Sequence, residues 1–155
     1  MKYTVEIEIN QPIDKVIELF DNFDNMKLWM KGFKGYKHLE GESGQVGAKT
    51  ELLYKMGKRD VAMIETITER NLPEVFSGIY EAKGVWNKVE NNFKSVAENR
   101  TKWTAHQEFK FSNTMMKLMG FFIPGVFKKQ SNTIWGIGLK SMVLKGLLFD
   151  WLHQA

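Results

Sequence analysis

From Gly32 to about Ser112 the chain reads strand, turn, strand, with no helical pattern between the strands. This feature constrains the fold more than any other. The strand-like runs are Lys34–Glu42, Ala48–Met56, Asp60–Arg70, Glu74–Ala82, Trp86–Ala97 and Arg100–Phe111. Gly41-Glu42-Ser43-Gly44, Met56-Gly57-Lys58, Asn71-Leu72-Pro73, Lys83-Gly84 and Glu98-Asn99 connect them. These links are short and carry the residues that turns favour. Strands joined so tightly must run antiparallel, because a parallel pair needs a crossover of about a dozen residues or more. A parallel α/β fold is disfavoured for the same reason.

Residues 2–10 add a seventh strand. Tyr3, Val5, Ile7 and Ile9 fall on one face, and Lys2, Thr4, Glu6 and Glu8 on the other. This period of two marks a half-buried strand. Pro12 then suits the first turn of a helix, and Ile13, Val16, Ile17 and Phe20 follow at helical spacing. Asp24 is placed to cap a second short helix carrying Met26, Leu28, Trp29 and Met30.

The later strands also sort into two faces. Glu51, Lys55, Lys88, Glu90, Asn92, Lys94, Lys102, Thr104, His106, Glu108 and Lys110 form the polar side. Leu52, Tyr54, Val89, Asn91, Phe93, Trp103, Ala105, Gln107 and Phe109 form the other. That mixed apolar face needs helices to cover it. The longest amphipathic stretch available runs from about Pro124 to the end, with Ile134, Trp135, Met142, Val143, Leu147, Trp151 and Leu152 as its stripe. Gly136, Gly138 and Gly146 weaken it by up to about 1 kcal/mol each relative to alanine, so burial has to offset them. The expected architecture is therefore α+β. A curved seven-stranded antiparallel sheet wraps a long C-terminal helix, with two short helices after the first strand. A twisted sheet curling round one helix leaves a wedge between them, and small-molecule sites occur in such places.

The order of elements resembles the START-related, polyketide-cyclase-like superfamily (SRPBCC), which has the helix-grip fold of the birch-pollen allergen. Val5-Glu6-Ile7-Glu8-Ile9-Asn10-Gln11-Pro12 with Ile13-Asp14-Lys15-Val16 is similar to that family's strand-then-proline opening. Asp21–Trp29 is similar to its second helix, and Ile67-Thr68-Glu69-Arg70-Asn71-Leu72-Pro73 to a strand end and turn. The resemblance covers nearly the whole chain. It implies one domain over residues 1–155 and an apolar ligand, lipid or polyketide-like, in a central cavity. The family also holds aromatases, cyclases and co-chaperone-like modules.

No catalytic motif stands out: H-E-x-x-H, G-x-S-x-G, a Walker loop and G-x-G-x-x-G are all missing. Gly41, Gly44 and Gly47 flank a hairpin turn rather than a phosphate loop. There is no cysteine, which excludes disulfides and thiolate chemistry. His38, His106 and His153 show no metal-ligand spacing, so neither a metal nor a cofactor is implied. His106 and Glu108 share a strand face and read as an exposed pair.

Glu65 is the one chemically pointed residue. It shares parity with Val61, Met63 and Ile67, but Ala62, Ile64 and Thr66 are an alternative inward set. Facing the cavity, its carboxyl would have a raised pKa and serve as ligand anchor or acid–base group. In the enzymatic alternative, a cyclase, dehydratase or hydrolase, it would act with Tyr54 or Tyr80. Asn91 and Gln107 are polar residues on an apolar face, able to orient a ligand or to satisfy backbone groups. Trp29, Tyr54, Phe76, Tyr80, Phe93, Trp103, Phe109, Met116, Met119, Phe122 and Trp135 complete the candidate wall, and each alone also reads as core. The apolar segment Thr114–Phe127 is a candidate lid, with Gly120 and Gly125 supplying flexibility. It is too short and broken to span a bilayer.

The net charge is +4, from 22 basic and 18 acidic residues. The lysines scatter, with Lys27, Lys31, Lys34 and Lys37 the nearest to a cluster. A nucleic-acid partner is not expected. A charged, alternating N-terminus without a signal-type apolar run points to the cytoplasm, and Asn99-Arg100-Thr101 is then a chance sequon. The tail Leu147-Leu148-Phe149-Asp150-Trp151-Leu152 is apolar around most of its circumference. It offers a protein-interaction surface, a homodimer through the C-terminal helix included.

Overall fold

A computed structural model describes residues 2–30, 32–56 and 58–112. Strand β1 (Lys2–Ile9) alternates as its sequence requires: Val5 and Ile9 are buried, while Lys2, Thr4, Glu6 and Glu8 are exposed. Pro12 stands at the cap of helix α1 (Ile13–Phe20), and its carbonyl accepts the Val16 N–H at 3.1 Å. A 3-10 turn (Phe23–Asn25) leads into α2 (Met26–Trp29). The cap of that turn is Asn22, not Asp24. The Asn22 side chain accepts the Asp24 N–H at 2.9 Å, because Asp24 already lies inside the turn.

Six strands follow: β2 (Phe33–Glu40), β3 (Lys49–Met56), β4 (Arg59–Asn71), β5 (Val75–Ala82), β6 (Val85–Ala97) and β7 (Arg100–Phe111). Their limits fall close to those expected from alternation and turn residues. All neighbours are antiparallel, in the order β1-β7-β6-β5-β4-β3-β2. Hairpins alone generate β2 to β7, and β1 joins at the far edge beside β7. The long helix expected from about Pro124 lies outside the described residues.

One face of the sheet packs against α1 and α2. Its core comprises Ile9, Val16, Met26, Leu52, Phe93, Trp103 and Ala105. Phe20, at the end of α1, sets its ring edge-on to Phe93 at 4.9 Å and to Phe76 and Trp103 at 5.6 Å each. The opposite face carries the charged residues read from the sequence, including Lys88, Lys94, His106 and Lys110.

Strand β4 carries a bulge. Ile67 pairs with Gly78, but Glu69 pairs with Ser77 and Arg70 with Phe76. The extra residue flips the alternation, as bulges do. Arg70 thereby joins Ile67 on the inner side, where it makes a two-pronged ion pair with Asp21 at the end of α1. The Arg70 guanidinium also lies 5.9 Å above the Phe76 ring. This pair ties α1 to the sheet. Arg70→Met should lower stability by about 1 kcal/mol, as for a well-formed but partly exposed pair. The loss should shrink in high salt, measured by urea denaturation at two ionic strengths.

Candidate functional site

The register sets a row of side chains across the inner face. Thr50 of β3 pairs with Glu65 of β4, Glu65 with Tyr80 of β5, and Tyr80 with Asn87 of β6. The inward set on β4 is therefore Glu65 and Ile67, both buried. Glu65 is 4% exposed. The Tyr80 hydroxyl donates to Glu65 Oε1 at 2.8 Å, while Glu65 Oε2 is buried with no hydrogen-bond partner among the described residues. Orphaned buried oxygens are rare because each costs about 1–3 kcal/mol.

Electrostatics follow from burial. Loss of water pushes the Glu65 carboxyl above its ordinary value, and the Tyr80 hydrogen bond opposes this less strongly. Both Tyr80 and Tyr54 are pushed up by burial, and the nearby Glu65 charge adds to the effect. The three groups therefore favour their neutral forms together. Tyr54 spends its proton on a weak acceptor, the Met30 sulfur at 3.0 Å.

A cavity of about 50 Å³ opens beside this cluster. Phe20, Phe23, Met26, Met30, Ile67 and Phe76 form its apolar wall, and Glu65, Tyr80 and Asn91 its polar one. Asp21 and Arg70 stand at the same wall. The space suits a few waters or one small polar group. Among the described residues, no group of three or more His, Asp or Glu side chains is arranged to hold a metal.

No family model and no curated protein matches the chain. Solved structures do match. A conserved protein from Geobacillus kaustophilus aligns with a TM-score of 0.75 at 14% identity, over 92% of this chain and 95% of that one. A START superfamily protein from Mycobacterium smegmatis aligns at 0.63 and 10%, over 88% and 98%. The Zhui aromatase/cyclase from Streptomyces sp. R1128 aligns at 0.66 and 12%, over 94% and 92%. The fold is similar to that of these solved structures, the START superfamily protein and the aromatase/cyclase included.

Within this fold the candidate residues separate into groups. Glu65, Phe76, Tyr80 and Asn91 meet at the cavity, and Tyr54 stands behind Met30. Phe93 and Trp103 belong to the adjoining core, their rings stacked at 5.5 Å. Asn91 bridges the two groups. Its side chain accepts the Trp103 indole N–H at 3.0 Å and donates to the Phe76 carbonyl at 3.3 Å. Gln107 and Phe109 lie away from the cavity, with Tyr3: the Tyr3 hydroxyl donates to Gln107 Oε1 at 3.1 Å, and its ring stacks on Phe109 at 6.0 Å. Trp29 ends α2, but its side chain falls outside the described residues, as do Met116, Met119, Phe122 and Trp135 altogether.

The exposed histidines stand apart from the cavity. His106 Nδ1 is 2.9 Å from Thr4 Oγ1, while Glu108 pairs with Lys2 and Lys110. His38 Nε2 is 2.9 Å from the Gly41 carbonyl. Sequence reasoning missed Asp21, Arg70 and Phe20 at the site. The alternation rule places Arg70 outward unless the bulge is known. Phe20 was visible only as one member of a helical stripe.

Among the described residues, no helix is long and apolar enough to cross a membrane.

Proposed function

We propose that this chain binds a small hydrophobic or amphipathic molecule on the inner face of its sheet, with Glu65 and Tyr80 as the polar anchor. The observation that carries the reading is Glu65 Oε2, a buried carboxyl oxygen with no partner among the described residues, on a residue that lines the cavity. A buried polar atom without a partner among the described residues is open to one that arrives from outside, an ordered water or the polar end of a ligand. The cavity of about 50 Å³ takes the polar end only. A drug-sized body needs roughly 300 Å³ or more, so binding must open the inner face further.

Native mass spectrometry of the full chain, after incubation with a lipid extract, should show a bound apolar species. Nile red should brighten on binding and be displaced by that species. Absence of both signals would remove the reading.

A second reading rests on the same pair. A neutral carboxyl next to a tyrosine is a ready general acid, as a cyclase, dehydratase or hydrolase would need. It requires a turnover that vanishes in Glu65→Gln while ligand binding persists. The third expectation, association through the C-terminal tail, concerns residues outside the described part.

A further inference from the structure

The proton inventory at Glu65 narrows the kind of molecule that can bind there. Tyr80 has one hydroxyl proton and donates it to Glu65 Oε1. Oε1 is thus occupied as an acceptor. Among the described residues, the groups around the carboxyl are Tyr54 from β3, Tyr80 from β5, and the Asp21–Arg70 pair at the same cavity wall. None of them supplies a free positive charge. Both terminal nitrogens of Arg70 are engaged by the two Asp21 oxygens. Among the described residues, burial and the Tyr80 bond act on Glu65 and no cation does. A buried carboxylate without a counter-charge is far costlier than a neutral acid. The carboxyl therefore holds its proton to higher pH than an exposed one, and in that neutral form, with Oε1 accepting from Tyr80, the proton sits on Oε2. Among the described residues that O–H has no acceptor.

We propose that Glu65 Oε2 acts as a hydrogen-bond donor to its ligand, which carries a neutral oxygen acceptor, a ketone or ester carbonyl, on an apolar body. This inference rests on the inner-face binding reading and adds the chemistry of the polar end. A carboxylate ligand would enter a site whose one nearby guanidinium is already engaged. An ammonium ligand would require Glu65 to ionise out of water. A plain hydrocarbon would leave the Oε2 proton unsatisfied. A neutral oxygen acceptor such as a carbonyl satisfies it without creating charge.

The test uses methyl heptyl ketone, nonane and nonylamine, each competed against Nile red on the full chain at mildly acidic pH. The ketone should bind about tenfold more tightly than nonane, the yield of one well-shielded hydrogen bond. Glu65→Gln should keep that preference, because its amide N–H also donates. Glu65→Leu should abolish it while binding nonane at least as well, which also shows that the variant is folded. The infrared carbonyl stretch of the bound ketone should fall in the wild type and in Glu65→Gln, but not in Glu65→Leu. Equal affinity for ketone and nonane would overturn the proposal while leaving the binding site intact. So would tightest binding of nonylamine, with affinity rising as pH rises. Failure of Nile red and all three probes to bind would overturn this inference together with the site on which it rests.

Discussion

Trp103→Ala should destabilise the protein by about 3–5 kcal/mol, the usual range for truncating a buried Trp. Trp103 is 2% exposed. Its ring stacks on Phe93 at 5.5 Å and meets the edge of Phe20 at 5.6 Å. Alanine would leave a cavity where α1 meets β6 and β7. It would also strand Asn91 Oδ1, which accepts the indole N–H at 3.0 Å and is buried with the rest of Asn91. Trp103→Phe keeps most of the packing and loses only the N–H, so its cost should be about 1–2 kcal/mol. Asn91→Leu removes the Oδ1 to which the indole N–H donates and should cost about 1–3 kcal/mol. The double variant Trp103→Phe with Asn91→Leu removes donor and acceptor together. Its loss should be smaller than the sum of the two single losses, the mark of direct coupling. Equilibrium urea denaturation of the four proteins measures this. Strict additivity would show that the Asn91–Trp103 bond contributes little.

Glu65→Gln should make stability less dependent on pH and raise it at neutral pH. Burial holds the Glu65 carboxyl above its ordinary value of 4.5. The native state then keeps a proton that the unfolded chain releases. The stability from that neutral carboxyl is fully present below the unfolded value and is lost as pH rises through the native one. Each unit of separation between the two values corresponds to about 1.4 kcal/mol. Glutamine has no proton to lose and can still accept the Tyr80 hydroxyl. The wild type and Glu65→Gln should therefore match in acid and diverge upward from there, with the variant the more stable. Thermal unfolding of both proteins across the acid-to-neutral range measures the difference. Parallel profiles would mean that the folded protein holds Glu65 charged. They would also remove the donor role argued for Oε2.

Much of the fold was legible because it rests on local rules. Alternation in β1 was unambiguous, since every second residue from Lys2 to Glu8 is polar. Turn residues marked each hairpin, so the antiparallel order of β2 to β7 followed. The charged face of β6 and β7 was equally plain. The position of β1 beside β7 was not local: it came only with the structure, because pairing across the length of the chain leaves no mark in either strand.

The site was harder to read. Strand β4 is apolar on both parities, with Val61, Met63 and Ile67 against Ala62 and Ile64. Alternation therefore leaves the facing of Glu65 open, and the pairings Thr50–Glu65 and Glu65–Tyr80 settle it. Asn91 and Gln107 looked equivalent in sequence, each a polar residue among apolar neighbours. Asn91 lines the cavity wall, while Gln107 lies at the far end with Tyr3.

The sequence by itself determined the elements, their hairpin order and the polar face of the sheet. Each of these follows from side-chain period and turn chemistry within a few residues. Tertiary structure alone decided which carboxyl is buried, that one of its oxygens has no partner among the described residues, and that Arg70 turns inward. Those facts depend on contacts between strands and helices far apart in the chain. The Asp21–Arg70 pair spans 49 residues. A single bulge after Ile67 is enough to move Arg70 to the other face of the sheet.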